Sequence, residues 1–206
     1  RSPVGANAWA RVGTMTAAQA VFAVSGRAAW FASSTKTGSG EYVWAAADGV
    51  HWNKYPFSCP GAYYQPAGIA PVSPSHVLFL CAFPQGMFQT EKEVLLSVNG
   101  GRTEHLIGPA PVGGDVSGFA VLPDRATMIT IAVVTPGPDH LYRSANGGKI
   151  WTRVAVPDTG GGVSLSSLSY VSPTAGWMVI GGPSGGGESL LLRTTDAGAT
   201  WYQVRF

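Results

Sequence analysis

Short apolar runs recur along the chain, separated by turn residues. First runs lie at 21–24, 69–72, 119–122 and 168–171, each followed by a tight turn such as Ser25-Gly26, Ser73-Pro74, Pro123-Asp124 or Ser172-Pro173. Second runs follow at 29–31, 77–80, 128–131 and 177–180, and third runs at 42–44, 94–96, 141–143 and 190–192. A fourth run opens on a tryptophan in Trp151-Thr152-Arg153-Val154 and Trp201-Tyr202-Gln203-Val204. Runs this short, rich in β-branched and aromatic residues and bounded by Gly, Pro, Ser and Asp, predict strands. The order of four strands repeats four times, so the chain predicts an all-β protein built from one repeated four-stranded unit.

The third run of each unit leads into a similar turn: Asp48-Gly49, Asn99-Gly100-Gly101, Asn146-Gly147-Gly148 and Asp196-Ala197-Gly198. The Asp/Asn positions are 51, 47 and 50 residues apart. A unit of that length cannot bury both faces of its own sheet, but stacked units bury each other's. The expectation is a single β-propeller domain over residues 1–206, with units at about 13–55, 64–107, 115–155 and 163–206. Trp9-Ala10-Arg11-Val12 reads as one further fourth strand with no strands before it. Two arrangements follow from that extra strand: an arc of a larger propeller, or a ring of fewer blades with the N-terminal strand added outside.

The turn Thr194-Thr195-Asp196-Ala197-Gly198-Ala199-Thr200-Trp201 resembles the Asp-box, or BNR repeat, of sialidase-like propellers, and it matches at every defined position. The second and third copies carry Asn99 and Asn146 for Asp, the second has Glu104 where Trp is expected, and the first, Asp48 to Trp52, is one residue short. The resemblance implies structural roles for Asp48, Trp52, Asn99, Asn146, Trp151, Asp196 and Trp201. An Asp or Asn oxygen accepts hydrogen bonds from N–H groups two residues onward, and the indole covers the turn. It also implies that ligands bind on the opposite face, where the fourth-to-first and second-to-third connections lie.

Sialidases of this kind use three arginines, a Tyr with a Glu partner and an Asp, and carry a Phe/Tyr-Arg-Ile-Pro motif early in the chain. That motif is absent here, and no arginine falls in a ligand-side segment. Glycosidases in general place two carboxylates about 5–10 Å apart. Glu91 and Glu93, at strand spacing i, i+2, are weak candidates for such a pair, against a reading as a solvated strand start. The densest aromatic group is Tyr63 and Tyr64 in one ligand-side loop with Phe83, Met87 and Phe88 in another. Aromatic faces stack on sugars and anchor protein partners; the alternative is a small satellite core under folded-over loops.

Composition narrows the field. Charged residues are 12% of the chain, about half the usual share, and the net charge is +2, so no basic surface for nucleic acid is expected. No apolar run reaches the roughly 18 residues of a membrane-spanning helix. The four histidines, His51, His76, His105 and His140, are scattered along the chain with no ligand-like spacing, so neither a metal nor a cofactor is expected. Gly182-Pro183-Ser184-Gly185-Gly186 matches G-x-S-x-G but lacks the following helix that motif needs. Arg1-Ser2-Pro3-Val4-Gly5 lacks the apolar stretch of a signal peptide, as in a mature or trimmed form. Cys59 enters the second unit and Cys81 lies late in its second strand. Both are expected near the ligand face as a disulfide, with free buried thiols as the alternative.

The functional expectation is therefore a secreted, cell-surface or periplasmic propeller that binds or scaffolds a glycan or protein without catalysis. Two alternatives stay open: a glycoside hydrolase of sialidase-like or oligosaccharide-chain-end type, and an assembly factor resembling the Asp-box propellers of photosynthetic complexes. The oligomeric state is left undetermined.

Overall fold

A computed structural model describes residues 19–34, 41–61, 63–84, 89–123, 125–135, 139–157, 164–181 and 189–205. The N-terminal strand expected at Trp9–Val12 and the G-x-S-x-G segment lie outside them. Every regular element among the described residues is a strand. The first sheet holds β1 (Gln19–Ser25), β2 (Ala28–Ser34), β3 (Glu41–Ala46) and β4 (Asn53–Phe57). The second holds β5 (Gln65–Pro71), β6 (Val77–Pro84), β7 (Thr90–Ser97) and β8 (His105–Pro109). The third holds β9 (Asp115–Leu122), β10 (Arg125–Val134), β11 (His140–Ser144) and β12 (Thr152–Val154). The fourth holds β13 (Ser164–Tyr170), β14 (Gly176–Gly181), β15 (Leu190–Thr194) and β16 (Tyr202–Gln203). Each sheet is an antiparallel meander in chain order, with no crossover. The fold is a β-propeller whose four described blades are these sheets.

The blades stack in order through their inner strands, β1 on β5, β5 on β9 and β9 on β13. Among the described residues no comparably broad contact joins β13 back to β1. Three apolar layers fill the spaces between blades. Trp30, Ala32, Val43 and Phe57 meet Ile69, Phe79 and Leu95 between blades one and two. Leu78, Leu80 and Val94 meet Ile129, Ile131 and Val133 in the next layer. Leu141 and Leu122 meet Leu165, Met178 and Leu192 in the last. The strands of the second and third sheets are apolar on both faces, because both faces are covered; the near-continuous run 77–82 of β6 is the clearest case.

The Asp/Asn turns are built as one device. Ser97 Oγ donates to Asn99 Oδ1 at 3.0 Å and accepts from the Gly101 N–H at 2.8 Å, while Asn99 Oδ1 accepts from the N–H groups of Arg102 and Thr103. Ser144 with Asn146, and Thr194 with Asp196, repeat the pattern. The N–H groups accepted lie three and four residues onward in the second turn and four onward in the next two. Only the shortened Asp48 turn reaches two residues onward, through Val50, as the sequence suggested for all. Gly101, Gly148 and Gly198 hold φ near +90°, which a side chain resists, and a Cβ on Gly198 would strike the Tyr170 hydroxyl.

Adjacent blades are also pinned by polar bonds. Trp30 Nε1 donates to the Gly100 carbonyl at 3.0 Å, and Arg143 Nε donates to the Ala197 carbonyl at 2.8 Å. Trp151 Nε1 donates to the carbonyl of Pro109, at the end of the preceding blade's outer strand. Glu104, in the position of that tryptophan one blade earlier, accepts from the N–H of Ser58 just beyond β4. The departure from Trp thus keeps a link between the same two places in neighbouring blades.

Candidate functional site

The meander puts the β4–β5, β6–β7, β8–β9 and β10–β11 connections on the face opposite the Asp/Asn turns. The aromatic group expected there is brought together in part. Phe83 stands at the end of β6. The Tyr63 ring stacks on it with centroids 6.1 Å apart, and the Tyr64 ring lies 5.6 Å away at a tilt. Tyr63 is 76% exposed and adopts φ 73°, an uncommon conformation for a residue with a large side chain. Tyr64 is half-buried and packs on the layer between blades one and two. Met87 and Phe88 lie outside the described residues.

The Cys59–Cys81 disulfide, with Cα atoms 5.7 Å apart, joins the loop just before Tyr63 to β6 just before Phe83. It fixes the loop that carries the tyrosines to the strand that carries Phe83. Cys59 N donates to Glu41 Oε2 at 2.7 Å. Burial pushes the Glu41 carboxyl up, against the pull of that N–H, and the Glu104 carboxylate adds to the rise.

Glu91 and Glu93 lie on one face of β7, the face that also carries Cys81 and Phe83 by register. The Tyr64 hydroxyl donates to Glu91 Oε2 at 2.8 Å. Glu93 is not the solvated strand start that spacing allowed: its Oε2 is buried without a hydrogen-bond partner among the described residues, and burial with the Glu91 charge raises its pKa. Burial and the bond to Glu91 push the Tyr64 phenol up to about 12, so it stays protonated and donates. That is the direction opposite to the one that activates a nucleophile.

A cleft of about 440 Å³ opens among the inner strands of blades one to three, lined by Val21, Pro66, Ala67, Thr90, Asp115 and Val116. Its polar groups are tied down. Thr90 Oγ1 donates to Asp115 Oδ1 at 2.7 Å. Outside the cleft's lining, two residues along β7 from Thr90, Lys92 is only 1% exposed and donates to the carbonyls of Thr90, Pro111 and Gly113. Burial lowers its pKa to about 8 and Asp115 opposes the shift. The sequence reading missed Lys92, because a lysine at the start of a strand looks like any surface lysine until the β8–β9 loop closes over it.

Other candidates fall elsewhere. Asp139 is a loop brace: its two oxygens accept the N–H groups of Thr135 and Leu165. Arg143 and Arg193 lie in β11 and β15 near the Asp/Asn turns, Arg102 lies in one of those turns, and Arg153 extends from an outer strand. None of these arginines reaches the loop face. Among the described residues no group of three His, Cys, Asp or Glu side chains is placed to hold a metal. Nor is any helix among the described residues long and apolar enough to cross a membrane.

No protein-family model matches the chain, and no curated protein matches it. Solved structures are similar to it. An exo-β-1,3-galactanase from Phanerochaete chrysosporium superposes at a TM-score of 0.59 with 12% identity, over 93% of this chain and 50% of that one. A Hadza microbial sialidase gives 0.57 with 13% identity, over 86% of this chain and 42% of that one. YCF48 from Cyanidioschyzon merolae gives 0.53 with 16% identity, over 90% of this chain and 55% of that one. The chain thus spans about half the length of each. At identities this low the likeness is one of fold, and the fold shared with all three is the β-propeller.

Proposed function

We propose that the protein is an exported, non-catalytic propeller that binds a glycan on its loop face. The observation that carries this reading is the Tyr63–Tyr64–Phe83 shelf, held by a disulfide beside the Tyr64–Glu91 pair. An exposed ring offers a sugar face a stacking surface, and a carboxylate beside it accepts bonds from sugar hydroxyls. The disulfide and the carbohydrate-active neighbours support an extracytoplasmic setting. The four turns are read as Asp-boxes with a structural role, since their carboxylates and amides face their own backbone.

A second reading, glycoside hydrolysis, is favoured by one observation: a Tyr–Glu pair next to a second, buried carboxyl, Glu93. Against it stand the upward shift of Tyr64 and the placement of Arg102, Arg143 and Arg193 in or near the Asp/Asn turns.

The test is a glycan array with the wild-type chain, Tyr63→Ala and Phe83→Ala, alongside turnover assays on sialosides and β-1,3-galactans. Tyr63 is exposed enough that its replacement leaves the fold intact. Binding weakened about tenfold by Tyr63→Ala, with no turnover, is the expected result. Binding indifferent to both substitutions removes the shelf as the site. Turnover abolished by Glu91→Gln moves the assignment to the hydrolase reading.

A further inference from the structure

The repeat shows what each blade offers its neighbours. The third residue before each Asp/Asn, with its partner on the second strand, faces the following blade: Ala45 with Trp30, Leu96 with Leu78, Arg143 with Thr130. From this row Trp30 and Arg143 reach across to one acceptor, the carbonyl just after Asn99 or Asp196 in the next blade's turn. In the last blade the same row holds Arg193 paired with Trp177. The last blade thus carries both donor types at once, a Trp at the place of Trp30 and an Arg at the place of Arg143. Arg193 is exposed, its guanidinium 5.4 Å from the centre of the Trp177 ring. Val171 and Tyr202 add further exposed apolar surface on the last blade.

The first blade offers the complementary half. The fourth residue before the Asp/Asn and its strand partners face the preceding blade. In blade two this row is Ile69, Phe79 and Leu95, with Ile69 only 7% exposed. In blade one it is Phe22, Phe31 and Trp44, and Phe22 is 61% exposed. Lys54 extends this row over the Tyr42 and Trp44 rings. The Asp48 turn, with its carbonyl after the Asp, stands at the edge of the same face.

We propose that these two faces are halves of a fourth interface, and that the occupant of each is a second copy of this chain. The last blade of one copy packs on the first blade of the other, with Trp177 and Arg193 directed at the Asp48 turn. Two such contacts related by a two-fold axis close an eight-bladed ring, within the size range of propellers. The argument for a copy of the same chain is continuity: the open faces repeat the donor row and the receiving row of the three interfaces already present.

The test is the mass of the full 206-residue chain in solution, by light scattering and sedimentation across a dilution series. The expected species has twice the 21.4 kDa chain mass. Arg193→Glu, at an exposed position, raises the dissociation constant at least about tenfold, and Phe22→Ser does the same from the other half. Both variants are checked for strand content by circular dichroism; if one fails to fold, the other decides. Tyr63→Ala leaves the mass unchanged, which separates this contact from the glycan site. A wild-type chain that stays monomeric at every concentration, a dimer indifferent to both substitutions, or open-ended assemblies would each overturn the proposal. So would a mass near one chain together with a cross-link formed within one chain by Arg193→Cys and Val50→Cys.

Discussion

Asp196 shows how much one side chain does in these turns. Its Oδ1 accepts from the Thr200 N–H and the Thr194 hydroxyl, and its Oδ2 from the Thr200 hydroxyl. Burial pushes its pKa up, but the bonds from Thr200 and Thr194 outweigh that and hold it at about 2, below the ordinary 3.8. A carboxylate whose pKa falls on folding stabilises the fold above its ordinary pKa and loses that contribution as pH drops through its folded value. Through this group, then, stability declines between pH 3.8 and about 2, and Asp196→Asn flattens that part of a melting-versus-pH profile. Asp196→Ala lowers unfolding free energy by about 1–3 kcal/mol in a denaturant titration, with glycan binding kept in the folded fraction. Lys92 poses the opposite problem. Lys92→Met leaves the carbonyls of Thr90, Pro111 and Gly113 without this donor, and we expect a loss of roughly 2–4 kcal/mol in the same titration.

At the scale of elements, the disulfide and the glycine turns make separable predictions. A thiol assay on denatured, unreduced protein finds no free thiol, and reduction destabilises the chain by roughly 3 kcal/mol, as expected for closing a loop of this length. Gly198→Ala, at φ +80° with Tyr170 in the way, costs roughly 2–4 kcal/mol by thermal or chemical melting. The strands and their fourfold order were legible because the inner sheets are covered on both faces and the end sheets on one, which writes continuous apolar runs such as Val77–Cys81 into the chain. The shelf was legible because the repeat assigns the loop of Tyr63 and Tyr64 and the strand end of Phe83 to one face. The Tyr64–Glu91 bond, the burial of Glu93 and the Lys92 clamp were not. Each depends on which way a loop folds over a strand end, and no periodicity records that. The pin from Glu104 to Ser58 was hidden as well, because in sequence it reads only as a lost tryptophan.

At the scale of the molecule, the four described blades are joined in a row by three broad interfaces. In such a stack each unit is held by its nearest neighbours, so stability adds up along the row rather than residing in one centre. The two inner blades have a neighbour on each side, and blade two also carries the disulfide. Local opening therefore follows position in the row. Amide hydrogen exchange should be slowest in β6 and β7, and fastest in β1 to β4 and β13 to β16. Uniform protection across all four sheets in dilute solution would show instead that the molecule opens as one unit. Because the end blades have no second neighbour among the described residues, their protection should rise with protein concentration while that of β6 and β7 stays constant. Exchange rates at the two ends of the row thus become a gauge of how crowded the protein is with its own kind.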